Sequence, residues 1–307
     1  HYDEAAQALR RAVMLAPGQL GHRRLLAEAL EGAGRPGDAR SVLIEGLEHH
    51  TEPVPRSWIE LDLGRLSEAE RAWGRAVLHY QRGLGLLGEE SAPSLRAALL
   101  NGLGVATNGA GRSDEAAEAL VQAVSLRRTL MNPARPGTIR ALATSLYNLG
   151  AIEAARRRWP EAIRVMQEAS RLYEGEERWI TLLDLARLLQ QGSQSKEALE
   201  VLESVRRAPS LTESAEAEWA YLQGLSLADA GRYGEALPLL EQAAHRFGAL
   251  EDTLAEGVAW FNLGTSAVRA GQMPLAREAF EQARAVAQRL GDHRSIADID
   301  AQLMMMH

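Results

Sequence analysis

GRSDEAAEALVQA at Gly111 to Ala123 and GRYGEALPLLEQA at Gly231 to Ala243 are two copies of one pattern. Each has a small-residue turn, a Glu-Ala pair, a large apolar residue four positions after the alanine, and a small residue three beyond that. Related copies are YDEAAQALRRA from Tyr2, GRPGDARSVLIEG from Gly34, GRLSEAERAWGRA from Gly64, RRWPEAIRVMQEA from Arg157, SQSKEALEVLESV from Ser193 and GQMPLAREAFEQA from Gly271. The anchoring alanines are Ala5, Ala39, Ala69, Ala116, Ala162, Ala198, Ala236 and Ala276, at successive intervals of 34, 30, 47, 46, 36, 38 and 40 residues. Self-similarity at such a period is the mark of an array built from stacked supersecondary units.

Upstream of most copies lies a second segment with a Leu-Gly pair or its relic: Leu26-Ala27, Leu103-Gly104, Leu149-Gly150, Leu185-Ala186, Gln223-Gly224 and Leu263-Gly264. Apolar residues recur at three and four in both segments, as in Leu99, Leu103 and Ala106, or Ala116, Leu120 and Ala123, which is the helical period. Each unit therefore reads as a helical hairpin. The Gly or Ala of the first helix removes a side chain where the second helix crosses, despite a helix cost for Gly of about 1 kcal/mol.

Helix ends carry local marks. Ser67 to Glu70 and Ser210 to Glu213 have capping-box spacing, and Pro36, Pro160 and Pro274 fall in the first turn of second helices, where a missing amide hydrogen costs little. Asn132 to Gly137 is a strong breaker and Glu89 to Pro93 a weaker one. The long intervals predict extended second helices over Ser67 to Leu87 and Asp114 to Leu130, and Pro53 to Leu63, with two prolines, leaves a short first helix. Ile296, Ile299, Leu303 and Met306 form an apolar stripe that predicts a closing helix over 292–307.

These residues resemble the tetratricopeptide repeat (TPR) family across nearly the whole chain. The resemblance rests on the Leu-Gly pairs, the anchoring alanines, the large residues Leu9, Leu43, Trp73, Leu120, Met166, Leu202, Leu240 and Phe280, and Pro17 at a repeat end. It implies an all-α fold, a right-handed superhelical solenoid of about seven to eight antiparallel helical hairpins, over 1–307 as one domain with a possible sub-boundary near 88–94. The first-helix Trp of the family is mostly absent. The longer copies are similar to the extended variants of bacterial regulators and kinesin light chains. Tyr2-Asp3-Glu4-Ala5 reads as the start of a second helix, the expectation being a fragment of a longer protein.

The chain has 307 residues, a formal charge of −7, 46% hydrophobic residues and no Cys. An acidic balance argues against nucleic acid and acidic membrane surfaces as partners, since nucleic-acid binders are usually strongly basic. No run spans a bilayer and no signal peptide is visible, so the expectation is a cytoplasmic chain without membrane insertion. Without Cys there is no disulfide frame and no thiolate metal site or nucleophile.

Motifs for chemistry fail on context. Gly83-Leu84-Gly85-Leu86-Leu87-Gly88 spells GxGxxG, but a dinucleotide site needs a strand before it, and here it closes a helix. The only lysine, Lys196, lacks the preceding glycines of a phosphate loop, no HExxH or helical His pair occurs among the eight histidines, and GxSxG is absent. Arg156-Arg157-Arg158 falls at the end of a first helix, where cations favour the carbonyl terminus. The expectation is a non-enzyme with no cofactor and no metal.

What remains is a surface. In the implied superhelix the first helices line the concave side, and their free stripe carries Asn101, Asn108, Tyr147, Asn148, Arg187, Tyr221, Asn262 and Arg269. Asn amides both donate to and accept from an extended peptide backbone, and they equally bridge neighbouring helices. The stripe lacks the Asn, Lys and Arg pattern with which related domains hold chaperone C-terminal carboxylates. A protein or peptide partner along this face is expected, with the second-helix surface around Arg127 and Arg128 as the competing location. A sensor or regulatory module of a larger bacterial transcription regulator or kinase is the alternative.

Overall fold

The computed structural model describes residues 2–88, 91–209 and 211–306. Among these residues there are sixteen α-helices and no strand. The chain divides into two compact units, His1–Arg158 and Trp159–His307. The first contains α1 (Tyr2–Leu15), α2 (Leu20–Gly32), α3 (Pro36–His49), α4 (Pro53–Ala69), α5 (Trp73–Leu86), α6 (Pro93–Gly109), α7 (Ser113–Leu130) and α8 (Pro136–Ala155). The second contains α9 (Trp159–Leu172), α10 (Gly175–Gln191), α11 (Ser195–Val205), α12 (Glu213–Asp229), α13 (Tyr233–Ala249), α14 (Thr253–Arg269), α15 (Met273–Leu290) and α16 (His293–Met304). Even-numbered helices are the first helices of the hairpins and odd-numbered ones the second.

The hairpin contact is a hole meeting a knob. A Cβ added at Gly104 of α6 would lie 2.6 Å from Leu120 Cγ of α7, and one at Gly264 of α14 would lie 2.8 Å from the Phe280 ring of α15. Leu120 and Phe280 are fully buried, as are the anchors Ala116 and Ala276 one turn earlier. Interiors packed at crystal density leave no slack for such a methyl. The expected knobs Leu43, Met166, Leu202 and Leu240 are likewise buried, whereas Leu9 of α1 is half-buried and Ala5 is exposed.

Each turn within a hairpin has one backbone form. The residue after the C-cap takes positive φ, as Gly34, Gly111, Gly231 and Gly271, and the next amide reaches back five residues, Arg112 N to Thr107 O at 3.0 Å and Gln272 N to Ala267 O at 2.9 Å. Arg71, Arg157 and Ser193 occupy the same position with φ of 55°, 58° and 60°.

That turn corrects the register between Pro53 and Leu86. Gly64 is no turn residue: it sits inside the 17-residue α4, and the turn runs through Arg71. The anchor of this repeat is Ala76 and its knob Tyr80, both fully buried, in place of Ala69 and Trp73. The intervals on either side become 37 and 40 residues. Ser67 caps nothing, because its buried hydroxyl donates to Leu63 O at 2.8 Å within α4. The first helix is not short, since Pro53 and Pro55 fit its opening turn, and α5 has 14 residues rather than an extension. In α7, at 18 residues, the extended helix is present. Ser210 lies outside the described residues, and the α12 N-cap is Thr212, accepting from Ala215 N at 3.2 Å. Pro36, Pro160 and Pro274 stand in opening turns as read. In α16, Ile299 is buried against the α12–α15 core, with Ile296, Leu303 and Met306 packed beside it.

Tyr80 fills a larger hole than the other knobs. Its ring fits between α4 and α6 because Gly64 and Gly102 face it, a Cβ at Gly102 lying 2.5 Å from the ring. Beside it, burial pushes the Glu68 carboxyl up to about 7, against the opposing pull of the Tyr80 hydroxyl and Arg65. Burial also raises the Tyr80 phenol.

Two outcomes follow. Gly104→Ala and Gly264→Ala should each destabilise by about 1–3 kcal/mol through overpacking, whereas Gly88→Ala, beyond the end of α5, where an added Cβ would meet Ser91 Oγ at 3.9 Å as the nearest non-adjacent atom among the described residues, should change stability by under ~0.5 kcal/mol in thermal melts. The raised Glu68 means the folded state holds a proton that the unfolded chain releases in the ordinary carboxylate range, so its contribution is present at low pH and lost as pH rises through about 7. Melts from pH 4.5 to 8 should show ~1–3 kcal/mol of such decline in the native chain and most of it gone in Glu68→Gln.

Candidate functional site

Counting back from the small crossing residue of each first helix places the expected stripe. Three positions before it stand Arg24, Asn101, Tyr147 and Tyr221, and two positions before it Asp62, Asn148, Asp184 and Asn262. The structure joins these two positions between successive first helices. Asn148 Nδ2 of α8 donates to Asn101 Oδ1 of α6 at 3.2 Å, and Ser145 Oγ donates to the same oxygen at 2.8 Å. In the second unit Asn262 Nδ2 of α14 donates to the Tyr221 hydroxyl of α12 at 2.9 Å. In the same place, Arg24 of α2 grips Asp62 of α4 with Nε at 2.5 Å and Nη2 at 3.0 Å, its guanidinium 4.2 Å from the Trp58 ring centre. One polar bridge thus recurs three times at one pair of repeat positions.

The bridges use part of the amide capacity that a ligand would need. Both hydrogens of Asn262 are engaged, the second by Val258 O at 3.0 Å, which leaves its Oδ1 as acceptor. Asn101 gives its oxygen to two internal donors and keeps its Nδ2. Asn108 accepts from Ser113 Oγ at 2.8 Å across the α6–α7 turn, away from these bridges. Tyr147 is half-buried on α8 beside Asn148.

Three of the eight residues converge. Tyr221, Asn262 and Arg269 line one cleft of about 300 Å³ in the second unit, together with Gln190, Asp229 and Thr265. Asp229 organises its rim, with Gln190 Nε2 and Ser195 Oγ donating to Oδ2 at 3.3 Å each and Arg269 3.9 Å from Oδ1. Tyr221 stacks edge-on to Phe247 with ring centres 6.2 Å apart, and burial raises its phenol, so it stays a neutral hydrogen-bonding group. Arg187 is engaged with Glu218 of α12 and lies 3.5 Å from Asp184. Burial raises the Glu218 carboxyl, and Arg187 partly offsets this.

The competing features have structural employment. Arg127 of α7 donates to the Ala141 carbonyl and to Ser145 Oγ of α8, the second at 2.7 Å. Arg156 is held by Asp114 at 2.6 Å and Glu153 at 2.7 Å at the end of α8, and Arg157 is the positive-φ turn residue. In the GxGxxG stretch, Gly83 is buried in α5, its carbonyl accepting from Ser57 Oγ at 2.9 Å, and α4 precedes it where a dinucleotide fold has a strand. Among the described residues no group of three or more His, Asp or Glu is placed to hold a metal ion, and no helix is long and apolar enough to cross a membrane. The Arg24–Asp62–Trp58 group was missed in the sequence. The signal is present, since Asp62 precedes Leu63-Gly64 as Asn148 and Asn262 precede their pairs, but reading Gly64 as a turn residue hides it.

If Asn101 is a bridging acceptor, Asn101→Ala should cost about 1–2 kcal/mol in denaturant unfolding by stranding Ser145 and Asn148. A change below ~0.3 kcal/mol would show that the bridge carries no stability.

Comparison with known proteins agrees with this architecture. Tetratricopeptide repeat profiles match residues 142–175 and 215–289. The fold is similar to that of the apo form of RapI (TM-score 0.64, 11% identity, covering 89% of this chain and 99% of that one). It is also similar to a Gln-to-Met variant of the Podosopora anserina "putative kinesin light chain nearly identical TPR-like repeats" (TM-score 0.55, 22% identity, 66% and 100%) and to YrrB, a TPR protein with an unusual peptide-binding site (TM-score 0.50, 18% identity, 72% and 97%). No curated protein sequence matches the chain.

Proposed function

We propose that this tetratricopeptide-repeat array is a non-catalytic scaffold that holds a peptide or an extended segment of a protein partner on its first-helix face, with the Tyr221, Asn262 and Arg269 cleft as its principal contact. The observation that carries this reading is the convergence of an aromatic ring, an amide acceptor and a guanidinium in one cleft of about 300 Å³. A peptide backbone offers N–H groups to Asn262 Oδ1, Arg269 answers a carbonyl or carboxylate, and the Tyr221 ring supports an apolar side chain. Asn101, Tyr147, Asn148 and Asn108 offer a similar polar and aromatic surface on the first unit, and Arg187 an ion-paired rim on the second. The formal charge of −7 speaks against nucleic acid as the ligand of this segment. YrrB, of similar fold, is a TPR protein with an unusual peptide-binding site.

The test is selection of binding peptides from a displayed library on the whole chain, followed by calorimetry of the best peptide against native protein and the Asn262→Ala, Arg269→Ala double variant. Affinity should fall by about 1–3 kcal/mol while the far-ultraviolet helical signal is unchanged. Equal affinities would place the peptide elsewhere and reject the cleft.

A further inference from the structure

The second helix α11 is short, with 11 residues against 14, 17 and 18 in α9, α13 and α15 of the same unit. It stops at Val205, ahead of Pro209. What the missing turns uncover is visible by register. Five residues before the crossing residue, the first helices α4, α6, α8, α10 and α14 carry Ile59, Leu99, Ser145, Thr181 and Ala259, all at most 1% exposed, while α2 carries the half-buried His22. In α12 the same position is Trp219, the largest side chain of the series, and it is only half-buried. The indole is fixed, its Nε1 donating to Leu202 O at 3.0 Å.

A cavity of about 440 Å³ opens over it, walled by the loop after α11 (Arg206, Pro209, Leu211) and by Leu239, Gln242 and Arg246 of α13. Its floor is apolar and aromatic, and its charged rim is cationic. The Arg206 guanidinium lies 5.4 Å from the Trp219 ring centre and, among the described residues, has no acidic partner, nor has Arg207 beside it. Arg246 is paired with Glu216, the one carboxylate lining the cavity. In a chain of formal charge −7 this is a local excess of positive charge around a half-open indole.

We propose that this cavity, between the end of α11 and α13 and separate from the first-helix cleft, is a docking site for an acidic peptide segment. A carboxylate of the segment meets Arg206 and the Arg246 edge, where guanidinium and carboxylate geometries match, and a neighbouring apolar side chain rests on Trp219 and Leu239. Half-exposed Trp and Arg in a pocket are the side chains that dominate peptide and protein interfaces. The charge balance selects against basic segments.

The probe is a capped hexapeptide alternating glutamate with leucine and phenylalanine, compared with its glutamine counterpart, titrated into the full chain while tryptophan indole N–H signals are followed by NMR. Trp219→Phe identifies the Trp219 signal. The acidic peptide should move that signal saturably, the neutral peptide should need at least tenfold more, and Arg206→Gln should weaken the acidic peptide at least tenfold while the surface control Arg82→Gln does not. No saturable shift at millimolar peptide, equal effects of the two peptides, or equal loss in Arg206→Gln and Arg82→Gln would overturn the proposal. An equal shift from inorganic phosphate alone would overturn it too, marking an unselective anion site. Retained helical signal in Arg206→Gln keeps the comparison one of binding, and an unchanged first-helix peptide affinity in that variant separates this site from the cleft.

Discussion

In the α4–α5, α6–α7, α12–α13 and α14–α15 hairpins a large side chain of the second helix must enter the first helix where that helix carries glycine. This steric requirement sets the rest. Leu120 against Gly104, Leu240 against Gly224 and Phe280 against Gly264 fix the depth and register of each crossing, because a single methyl would collide within 2.6–2.8 Å. Once the crossing is fixed, helical geometry decides which positions of the first helix are left to face its neighbours, and the residues two and three before the hole are among them. The polar surface of the molecule is in that sense a by-product of its packing.

The recurring bridge shows how such a surface is kept in order. A charged pair in one place (Arg24 and Asp62), an amide pair in another (Asn101 and Asn148) and a phenol with an amide in a third (Tyr221 and Asn262) perform one task at one repeat position. Their chemistry and the direction of donation differ, and their repeat positions do not. Side chains held by internal bonds lose less entropy when a ligand arrives, so spending half of their capacity inside the protein leaves the remaining half better aimed.

The hairpin pattern was legible because helical period, small crossing residues and large knobs repeat many times over. It failed at one repeat for a physical reason. The strongest local signal for a turn was glycine, and in α4 that glycine serves a tyrosine knob while the true turn uses Arg71 at a φ of 55°. The two uses of glycine, left-handed backbone and absent side chain, look alike in a sequence. Asn148 and Asn262 were visible as special by their place before a Leu-Gly pair, but their partners stand 47 and 41 residues away, which no local pattern shows. The exposure of Trp219 was hidden as well, since it depends on the length of α11 and not on the residues around the tryptophan.

The uniform turn within each hairpin has a kinetic consequence. Its few residues, closed by a backbone bond spanning only five positions, bring two amphipathic helices together with little loop entropy to overcome. Contact order is low in such a chain, and low contact order goes with rapid folding. Each hairpin is then its own nucleus, and opening one does not require opening those at a distance. The protein resembles a row of latches more than a single lock, with protection from hydrogen exchange expected to vary hairpin by hairpin along its length.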